Sequence, residues 1–391
     1  MNRTYVDVHI LQTVPPSNLN RDDAGSPKQA IYGGVRRARV SSQAWKRATR
    51  LAFSDRLNLP TEQLGIRTKR IGQQLTDRIT IRTGLDPQAA RRLADAMLAG
   101  LGLTASKKKA EESAYLLFYG RAQLDRLVDL VADNADDLVA LADEPLTKAT
   151  AELGVQQVLT EGHPIDVALF GRMVADLTAL NVDAATQVAH AVSTHEASFE
   201  FDYFTAVDDA KDRETEDAGA GMIGTVEFTS ATLYRFATVG MHQLIENLDG
   251  RVDAAVDALA AFLEAFVYSM PTGHANTFAH HTLPNLVSVV VRGDQPVNLV
   301  SAFENPVRLP SPYASETRPR DGIAAESARR LDAELAKAAR LWGVTPLLAT
   351  SLYDQQAVPE PAALGPVQPF ADIVAAVRDT VTARITENVP A

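Results

Sequence analysis

The clearest chemical pattern in the sequence is a basic segment that contains no acidic residue. Residues 24–54 have no Asp or Glu, although the whole chain of 391 residues has a formal net charge of −11. The cations of this segment are Lys28, Arg36, Arg37, Arg39, Lys46, Arg47 and Arg50. Several charge-assisted donors on a rigid support, without side chains suited to reading base edges, are typical of a surface that binds nucleic-acid phosphates.

A helix is predicted to begin at Ser41 and Ser42, because a hydroxyl at a helix N-cap accepts a hydrogen bond from a free backbone N–H. Residues at spacings of three, four and seven share one face of such a helix, and here they are Gln43, Lys46, Arg47 and Arg50. The apolar residues between them are predicted to pack inward: Ala44, Trp45, Ala48 and Leu51. A solvated basic helix face is the alternative interpretation. We favour phosphate binding, since the face continues from a basic strand pair and has no acidic neighbour in the sequence.

Composition excludes several other kinds of site. The sequence has no cysteine, which excludes disulfides, thiolate nucleophiles and cysteine zinc sites. No apolar run is long enough to span a membrane, and the N-terminal residues have no apolar signal core. We therefore expect a cytoplasmic protein that does not contact a membrane.

Periodicity predicts a mixed α+β fold that is interrupted by a helical insertion. Residues 5–12 alternate in polarity and predict a half-buried strand, and 30–35 predict a strand, a glycine turn and a second strand. Within the predicted helical block, helices are expected at 89–98, 113–130 and 166–180. Beyond it, a strand is expected at 286–291 and helices at 252–269, 324–341 and 370–385.

A long β-hairpin is predicted between residues 196 and 236. Phe199, Phe201 and Tyr203 alternate with acidic residues, which is a strand pattern, and a second strand-like run begins at Thr225. The acidic stretch between the two runs, 208–217, is expected to form an exposed tip.

The segments 18–23 (NLNRDD) and 30–48 (AIYGGVRRARVSSQAWKRA) resemble the N-terminal signature of the CasC family, the backbone subunits of the type I-E CRISPR Cascade complex. Similar segments follow at 170–173, 191–195, 204–209 and 224–228. The resemblance implies an RRM-like (ferredoxin-like) palm, an inserted helical fingers domain and a β-hairpin thumb. On this basis the palm is expected at 1–58 and 183–391, the fingers at 59–182 and the thumb at about 196–228.

The resemblance also implies a non-catalytic subunit that needs no cofactor or metal. Copies of it would stack along a CRISPR RNA as a helical filament, grip the RNA backbone and present segments of the guide for pairing with target DNA. Its partners would be the CRISPR RNA, target DNA, further copies of itself and other Cascade subunits, namely the large, small and 5′- and 3′-end RNA-capping subunits.

The residues that match the family's RNA-binding positions fall into two groups. Those expected to contact phosphates or sugars are Arg21, Lys28, Ser41, Gln43, Lys46 and Arg50, with Arg47 added because it shares the basic face. Met173 is expected to wedge against a displaced base, and Tyr203 and Phe204 to pack near the displaced nucleotide. Ordinary core packing is the alternative for these last three residues. The sequence departs from the family pattern at His274, where a basic residue is usual.

Two alternative functions remain open from the sequence. One is a stand-alone RRM-like RNA-binding protein that never oligomerises. The other is a metal-dependent RNA nuclease that would use the paired carboxylates Asp22–Asp23 and Asp208–Asp209. Both pairs lie in polar turns, where Asp commonly bends the chain. His190 and His195 are five residues apart, which misses the spacing of a helical zinc pair. His280 and His281 with His274 could suggest a metal site, but no carboxylate pattern accompanies them, and they are interpreted as structural residues.

Overall fold

The structure is a computed structural model that describes residues 3–103, 112–175, 177–206, 222–308, 322–355, 357–358 and 362–386. The chain divides into two compact units. The sheet unit comprises Asn2–Ala52, Val188–Thr238 and Phe262–Ala391, and the helical unit comprises Phe53–Gln187 and Val239–Ala261. The boundaries that the resemblance implies, 1–58 and 183–391 for the palm and 59–182 for the fingers, remain a prediction.

Strands dominate the beginning of the described chain, helices dominate its middle, and both kinds of element occur towards its end. Up to residue 55 the strands and helices are β1 (Tyr5–Ser17), β2 (Gln29–Tyr32), β3 (Val35–Val40) and α1 (Ser42–Asp55). From 65 to 170 they are β4 (Gly65–Thr68), α2 (Ile71–Thr83), α3 (Pro87–Ala99), β5 (Leu117–Gly120), α4 (Arg121–Asp129), α5 (Ala135–Val139), α6 (Asp143–Ala151), α7 (Val155–Thr160) and α8 (Ile165–Phe170). The remainder are β6 (Thr186–Val188), β7 (Ala191–Ser193), β8 (Glu200–Ala206), β9 (Met222–Gly240), α9 (Met241–Asn247), α10 (Val252–Tyr268), α11 (Ala275–Phe278), β10 (Leu286–Arg292), α12 (Ile323–Trp342), β11 (Leu348–Tyr353) and α13 (Phe370–Thr386).

The main sheet has the strand order β11-β10-β1-β9-β7-β3-β2. β1 pairs antiparallel with β10 over seven residues, from Tyr5 opposite Arg292 to Leu11 opposite Leu286. The predicted strand at 5–12 is therefore confirmed, but the expectation that it is half-buried is wrong. Both faces of β1 are covered, and Asp7 and His9 are as fully buried as the apolar residues beside them. The alternation of polarity arises from buried polar groups and not from exposure to solvent.

These buried polar groups form a network in the core of the sheet unit. Arg292 Nε donates to Asp7 Oδ2 at 3.0 Å, and the same oxygen accepts from Val297 N at 2.9 Å. Burial raises the pKa of Asp7 to about 6 against the opposing effect of its hydrogen bonds and of the Arg292 charge. His9 Nδ1 lies 2.9 Å from the Tyr234 hydroxyl, and burial lowers the pKa of His9 to about 3. His9 is therefore neutral in the folded chain at neutral pH.

The predicted strand–turn–strand at 30–35 is confirmed as the β2–β3 hairpin, in which Gln29 pairs with Ala38 and Tyr32 with Val35. Its two turn glycines have positive φ angles, 60° at Gly33 and 78° at Gly34. A Cβ at Gly33 would lie 1.6 Å from the carbonyl oxygen of Glu304, so this position also requires glycine for close packing.

The predicted long hairpin is confirmed as the β8–β9 pair. Its antiparallel register runs from Glu200 opposite Phe228 to Ala206 opposite Met222. The predicted tip at 208–217 lies outside the described residues. β9 continues for 19 residues into the main sheet, where Tyr234 pairs with Val192 of β7, so one strand joins the hairpin to the core.

The helical unit has its own apolar core, built mainly from α2, α3 and α4. The predicted helix at 89–98 is confirmed as part of α3, whose N-cap Asp86 accepts from the backbone N–H groups of Gln88 and Ala89. The predicted helix at 113–130 is wrong in its first part, because the aromatic run 117–120 forms β5 and pairs with β4. The predicted helix at 166–180 ends at Phe170, because Gly171 adopts a φ of 74° that a helix cannot continue.

The structure is α+β, as predicted, and α10, α12, α13 and β10 confirm the remaining predicted elements. Within the described part of the chain, no helix combines the length and apolar character that a membrane span requires.

Candidate nucleic-acid interface

Asn20 ties the loop that carries Arg21 and Lys28 to the start of helix α1. Its carbonyl oxygen accepts from Lys28 N at 2.8 Å, and its side-chain Oδ1 accepts from Ser41 N at 2.9 Å. The structure thus brings Arg21, Lys28 and the first turn of α1 into one hydrogen-bonded neighbourhood. The sequence analysis assigned no role to Asn20. Its place next to Arg21 in a turn-rich stretch could have indicated one, because Asn side chains commonly hydrogen-bond to nearby backbone groups in turns.

Asn18 fixes the same loop to the long strand β9. Its Nδ2 donates to the carbonyl oxygens of Gly25 and Glu227, each at 3.0 Å. Glu227 lies on the part of β9 that pairs with β8. The side chains of Asn20 and Asn18 therefore connect the loop 18–28 to backbone groups at the start of the basic helix and on the β8–β9 hairpin.

Asp22 shapes this loop from within. Its Oδ1 accepts hydrogen bonds from Ala24 N at 2.9 Å and Ser26 N at 3.0 Å, which is the Asx-turn pattern. The interpretation of Asp22 as a turn residue is confirmed. Asp208 and Asp209, the other carboxylate pair of the nuclease hypothesis, lie outside the described residues. Among the residues that the structure describes, no group of three or more His, Asp or Glu side chains could hold a metal ion.

Helix α1 begins as predicted, with Ser41 as its cap. The Ser41 hydroxyl accepts from Ala44 N at 3.3 Å, and Ser41 is only 4% exposed. Its predicted contact with RNA stays a prediction. The structure gives this side chain a capping role and leaves little of its surface open.

The predicted basic face of α1 is present. Gln43 and Arg47 are exposed, whereas Lys46 and Arg50 are half-buried along the helix flank. Burial lowers the pKa of Lys46 from its usual value. The stem of Lys46 therefore packs against protein, and this fixes the direction of its ammonium group better than full exposure would.

The buried face of α1 differs slightly from the prediction. Trp45 and Ala48 are buried as expected, but Leu51 is 41% exposed. The buried stripe instead continues through Thr49, whose hydroxyl donates to Trp45 O at 3.0 Å, and through Ala52. The inward face is therefore rotated away from Leu51.

Arg235 of β9 supports α1 from the inside and was missed by the sequence analysis. Its guanidinium lies 3.8 Å from the centroid of the Trp45 ring. It donates to Gln12 Oε1 at 2.6 Å and to the carbonyl of Phe266, and burial lowers its pKa to about 9. The spacing of residues in the sequence does not distinguish a buried arginine on a strand from an exposed one, so it could not indicate this role of Arg235.

The arginines of β3 separate into two classes. Arg36 is exposed and lies over the ring of Phe199 at 5.9 Å. Arg37 is fully buried and donates to the carbonyl oxygens of Ser193 at 2.9 Å and Phe303 at 2.8 Å. The inclusion of Arg37 in the phosphate-binding segment is therefore wrong. Successive residues of a strand point to opposite faces, and this one points into the core.

Two arginines of the sheet unit contact histidines, of which Arg21 is exposed and Arg39 is half-buried. Arg21 Nη1 lies 2.9 Å from His274 Nε2, and Arg39 Nη1 lies 3.0 Å from His190 Nδ1. The loop of His274 approaches closely because residue 273 is glycine, where a Cβ would lie 2.4 Å from Leu19 O. Arg21 also lines an open cleft, whose other lining residues are Leu19, Asn20, Asp22, Asp23, Gly25 and Gly273.

His190 belongs to a small cationic group with Arg39 and Lys28. Burial and the charges of Arg39 and Lys28 all lower the pKa of His190. Arg39 Nε also donates to Gln29 O at 3.2 Å, and Arg39 N donates to Lys28 O at 2.9 Å. The group thus joins the β3 side of the basic segment to the loop that carries Arg21.

The aromatic residues of β8 are on the surface. Tyr203 is 62% exposed and Phe204 is 39% exposed, which excludes ordinary core packing for Tyr203. Phe204 lies on the opposite strand face, where its ring covers Gly224; a Cβ there would lie 2.5 Å from Phe204 Cζ. Phe201 is 71% exposed and shares the face of Tyr203, so the structure adds a second surface aromatic that the site prediction left out.

Met173, in the helical unit, is 83% exposed, so core packing is excluded for it as well. The loop that presents it is held by the buried Arg172, which donates to Leu180 O at 2.5 Å and Leu159 O at 2.8 Å. Burial lowers the pKa of Arg172 to about 10. Gly171 packs closely against Val182, since a Cβ at position 171 would lie 2.7 Å from the carbonyl oxygen of Val182. Met173 is thus an apolar side chain displayed on a fixed loop.

Two of the remaining histidines have structural partners. His195 Nε2 accepts from Thr232 N at 3.1 Å, and His280 Nε2 contacts Pro271 O at 3.0 Å. The interpretation of His280 as a structural residue is confirmed. His190, by contrast, lies on the surface beside Arg39.

A family model described as CT1975-like protein matches the chain over residues 6–375. The chain belongs to the CT1975-like protein family. Two solved structures are similar to this CT1975-like chain over 96% of its length. One, titled "CRISPR RNA-guided surveillance complex, pre-nicking", is 32% identical, is covered over 100% of its chain and has a TM-score of 0.79. The other, titled "CRISPR RNA-guided surveillance complex", is 28% identical, is covered over 99% and has a TM-score of 0.68.

No curated protein matches the chain. The resemblance to CasC-type subunits that the sequence indicated is confirmed by the family and by these two structures. They do not test its assignment to type I-E.

Proposed function

We propose that this protein is a non-catalytic, CRISPR RNA-binding backbone subunit of a type I-E surveillance complex. The family membership and the two similar structures, both from CRISPR RNA-guided surveillance complexes, support this assignment. The observation that carries it is the neighbourhood of Asn20, where Lys28, Arg21 and the N-terminus of the basic helix α1 converge.

The strand order supports an RRM-like palm. In a ferredoxin-like fold the first and third strands are central, the second and fourth are outer, and a helix follows the first and third strands. Here β1 and β9 are central, with β10 and β7 on either side of them. α1 follows β1 by way of the β2–β3 hairpin, and α9 and α10 follow β9. The β8–β9 hairpin would then be the thumb.

The charges of the site suit a phosphate backbone. Within the described residues, Arg21, Lys28, Lys46 and Arg47 take part in no ion pair with a carboxylate, so their charges are available to a polyanion. Contacts to phosphates position a nucleic acid and do not select its sequence. A subunit that must hold any guide sequence requires this kind of contact.

The exposed apolar groups suit a displaced base. Tyr203 and Phe201 form a stacking surface on β8, and a base that stacks on an aromatic side chain gains ~1–3 kcal/mol irrespective of its sequence. Met173 would act as an apolar wedge. Copies that contact one another head to tail, without closing into a ring, would form a helical filament along the guide RNA. This filament would leave segments of the guide free to pair with target DNA. The large, small and RNA-capping subunits would be its other partners.

The test is charge reversal on α1. The double variant Lys46→Glu, Arg50→Glu is expected to weaken RNA binding by on the order of 100-fold at low salt, about equally for unrelated guide sequences, and to lower the salt dependence of binding. The control is Arg82→Glu with Lys148→Glu, exposed cations of the helical unit that change the net charge equally. Wild-type affinity in the α1 variant, or weakening for some sequences only, would contradict the proposal.

Mass measurements with RNAs of several lengths separate the filament from a stand-alone binder. The backbone subunit predicts that the number of bound copies rises with guide length, whereas a stand-alone binder stays at one copy. RNA cleavage that requires a divalent metal and is lost in variants of Asp22, Asp23, Asp208 or Asp209 would favour the nuclease instead.

A further inference from the structure

Two arginines of the sheet unit have a histidine nitrogen as a hydrogen-bond partner, and both lie on or next to the basic segment. Arg21 reaches His274 across 253 residues of sequence, and Arg39 reaches His190 across 151. The two pairs are formed by different loops and strands, so the arrangement arises twice within one unit.

The direction of these hydrogen bonds fixes the state of each ring. A guanidinium remains protonated in proteins, has five donors and has no acceptor. His274 Nε2 and His190 Nδ1 must therefore be lone-pair acceptors, which makes both imidazoles neutral with the proton on the other ring nitrogen. For His190, the charges of Arg39 and Lys28 and partial burial also lower the pKa, in agreement with a neutral ring.

A neutral imidazole acceptor differs from a carboxylate and from a buried carbonyl oxygen, which are two other kinds of arginine partner among the described residues. A carboxylate, such as Asp7 beside Arg292, orients the guanidinium but cancels its charge. Buried carbonyl oxygens, such as those around Arg37, orient it but remove it from the surface. A neutral imidazole outside the core, such as the half-buried His274 or the exposed His190, orients the guanidinium and leaves both its charge and its remaining N–H donors available to a ligand.

We propose that His274 and His190 are positioning residues that aim Arg21 and Arg39 at RNA phosphates without neutralising them. This inference rests on the proposed RNA-binding function. It gives His274 a role different from that of the basic residue expected at this position, because its Nε2 is occupied by Arg21 rather than open to a phosphate. It also adds Arg39 to the RNA-binding surface.

The surroundings of Arg21 explain why such a partner is useful. Asp22 and Asp23 line the same cleft as Arg21 and would attract its guanidinium. One oxygen of Asp22 is held by Ala24 N and Ser26 N, and the imidazole holds the guanidinium on the side of the 272–274 loop. Without His274, Arg21 would be free to pair with these carboxylates, and its charge would be lost to the RNA.

The test is a double-mutant cycle on RNA affinity, with the intact chain and a single-stranded guide RNA. His274→Leu is expected to weaken binding about 5- to 10-fold, Arg21→Ala at least as much, and the double variant no more than Arg21→Ala. The salt dependence should fall by about 0.7 per lost phosphate contact in Arg21→Ala. His274→Gln keeps an uncharged acceptor of similar reach and should bind within about twofold of wild type.

His274→Glu separates orientation from charge, since its carboxylate can hold the arginine but neutralises it. It should bind as weakly as Arg21→Ala, with the same reduced salt dependence. The parallel cycle of His190→Leu with Arg39→Ala should show the same coupling. Thermal unfolding without RNA should stay within about 2 °C of wild type for the exposed variants, which separates positioning from folding.

Two outcomes would overturn the inference. If His274→Leu weakens binding as much in the Arg21→Ala background as in wild type, His274 contacts the RNA by itself. If His274→Leu binds like wild type, the orientation of Arg21 does not matter. Either result can occur while the α1 charge-reversal variant still loses affinity, so failure of this inference is distinguishable from failure of the proposed function.

Discussion

Several arginines of the helical unit pair with carboxylates, whereas two arginines on or beside the basic segment of the sheet unit contact histidines. In the helical unit, Arg78 pairs with Asp125 at 2.9 Å and Arg92 with Asp143 at 2.7 Å. In the sheet unit, Arg21 and Arg39 contact histidines. Arg37 contacts only carbonyl oxygens among its described hydrogen-bond partners.

This difference shows how an acidic protein can keep a surface for a polyanion. An exposed ion pair is worth little to stability, about 0–1 kcal/mol, but it cancels the charge of its arginine. The stretch 24–54 contains no carboxylate of its own, and the negative charge of the chain is carried elsewhere in the sequence. Under the proposed function, the net charge of the chain is therefore a poor guide to RNA binding, whereas the type of partner of each cation is informative.

The largest expected effect separates Arg37 from Arg39, which are two residues apart on the same strand. Arg37→Met leaves the buried carbonyls of Ser193 and Phe303 without a donor, and should lower the free energy of unfolding by about 3 kcal/mol. Arg39→Met should change it by less than about 1 kcal/mol and weaken RNA binding instead. Urea unfolding and RNA titration at one salt concentration measure both. If Arg37→Met loses RNA affinity at unchanged stability, Arg37 belongs to the RNA interface, and the distinction between a structural Arg37 and an RNA-binding Arg39 is wrong.

Acid should destabilise both units through their buried histidines, and in the sheet unit a buried carboxyl opposes this loss. In the helical unit, burial first and then the Arg172 charge lower the pKa of His163 to about 4. Its contribution to stability is complete above the unfolded pKa of ~6.5 and is lost as the pH falls towards 4, about 2 kcal/mol between pH 7 and 5. In the sheet unit burial lowers the pKa of His9, His195 and His280, whose contributions to stability are lost in acid in the same way. Asp7, whose raised pKa of about 6 adds stability as the pH falls below 6, offsets part of that loss.

Hydrogen exchange corrected for intrinsic rates, measured on amides of α3 and β10 at pH 7 and 5, checks this prediction. Both units should lose protection at pH 5. Asp7→Asn removes the offset, so the sheet unit of that variant should lose more protection between pH 7 and 5 than the sheet unit of the wild type. Equal losses in the wild type and in Asp7→Asn would contradict the contribution of Asp7.

A smaller effect concerns the stacking surface of the hairpin. Tyr203→Ala should weaken RNA binding by ~1–3 kcal/mol and leave stability almost unchanged, because the side chain is mostly exposed. Trp342→Ala is the matched control, since Trp342 is an exposed aromatic residue of the same unit outside the proposed site. Fluorescence titration with the guide RNA gives both affinities. Equal weakening in the two variants would show that the hairpin aromatic has no special role.

The fold and the site were predictable to different degrees from the sequence. The order of β2, β3 and α1 followed from local signals, namely paired glycines, a serine cap and helical spacing. The helix expected at 166–180 failed because the backbone conformation of Gly171 ends it, and apolar periodicity does not contain that information. Surface exposure of Met173 and Tyr203 could not be inferred from residue type, since aromatic and apolar residues usually pack in a core.

Long-range partners were the least accessible part of the site. The contact between Arg21 and His274 joins loops 253 residues apart, and Arg37 donates to carbonyl oxygens of Ser193 and Phe303, which lie 156 and 266 residues away in sequence. Both depend on the assembled sheet. The sequence marked a cation-rich segment, but only the structure separates its surface cations from its buried ones.

The smallest expected effect tests the other side of the comparison, the ion pairs of the helical unit. Arg78→Ala and Asp125→Ala should show a coupling of about 0.2–1 kcal/mol in the free energy of unfolding, because the pair is partly exposed. Neither variant should change the affinity for the guide RNA, since neither residue belongs to the proposed RNA-binding site. If Asp125→Ala instead tightens RNA binding, the freed Arg78 has become a phosphate ligand, and carboxylate pairing is then what keeps the helical unit from competing for the guide.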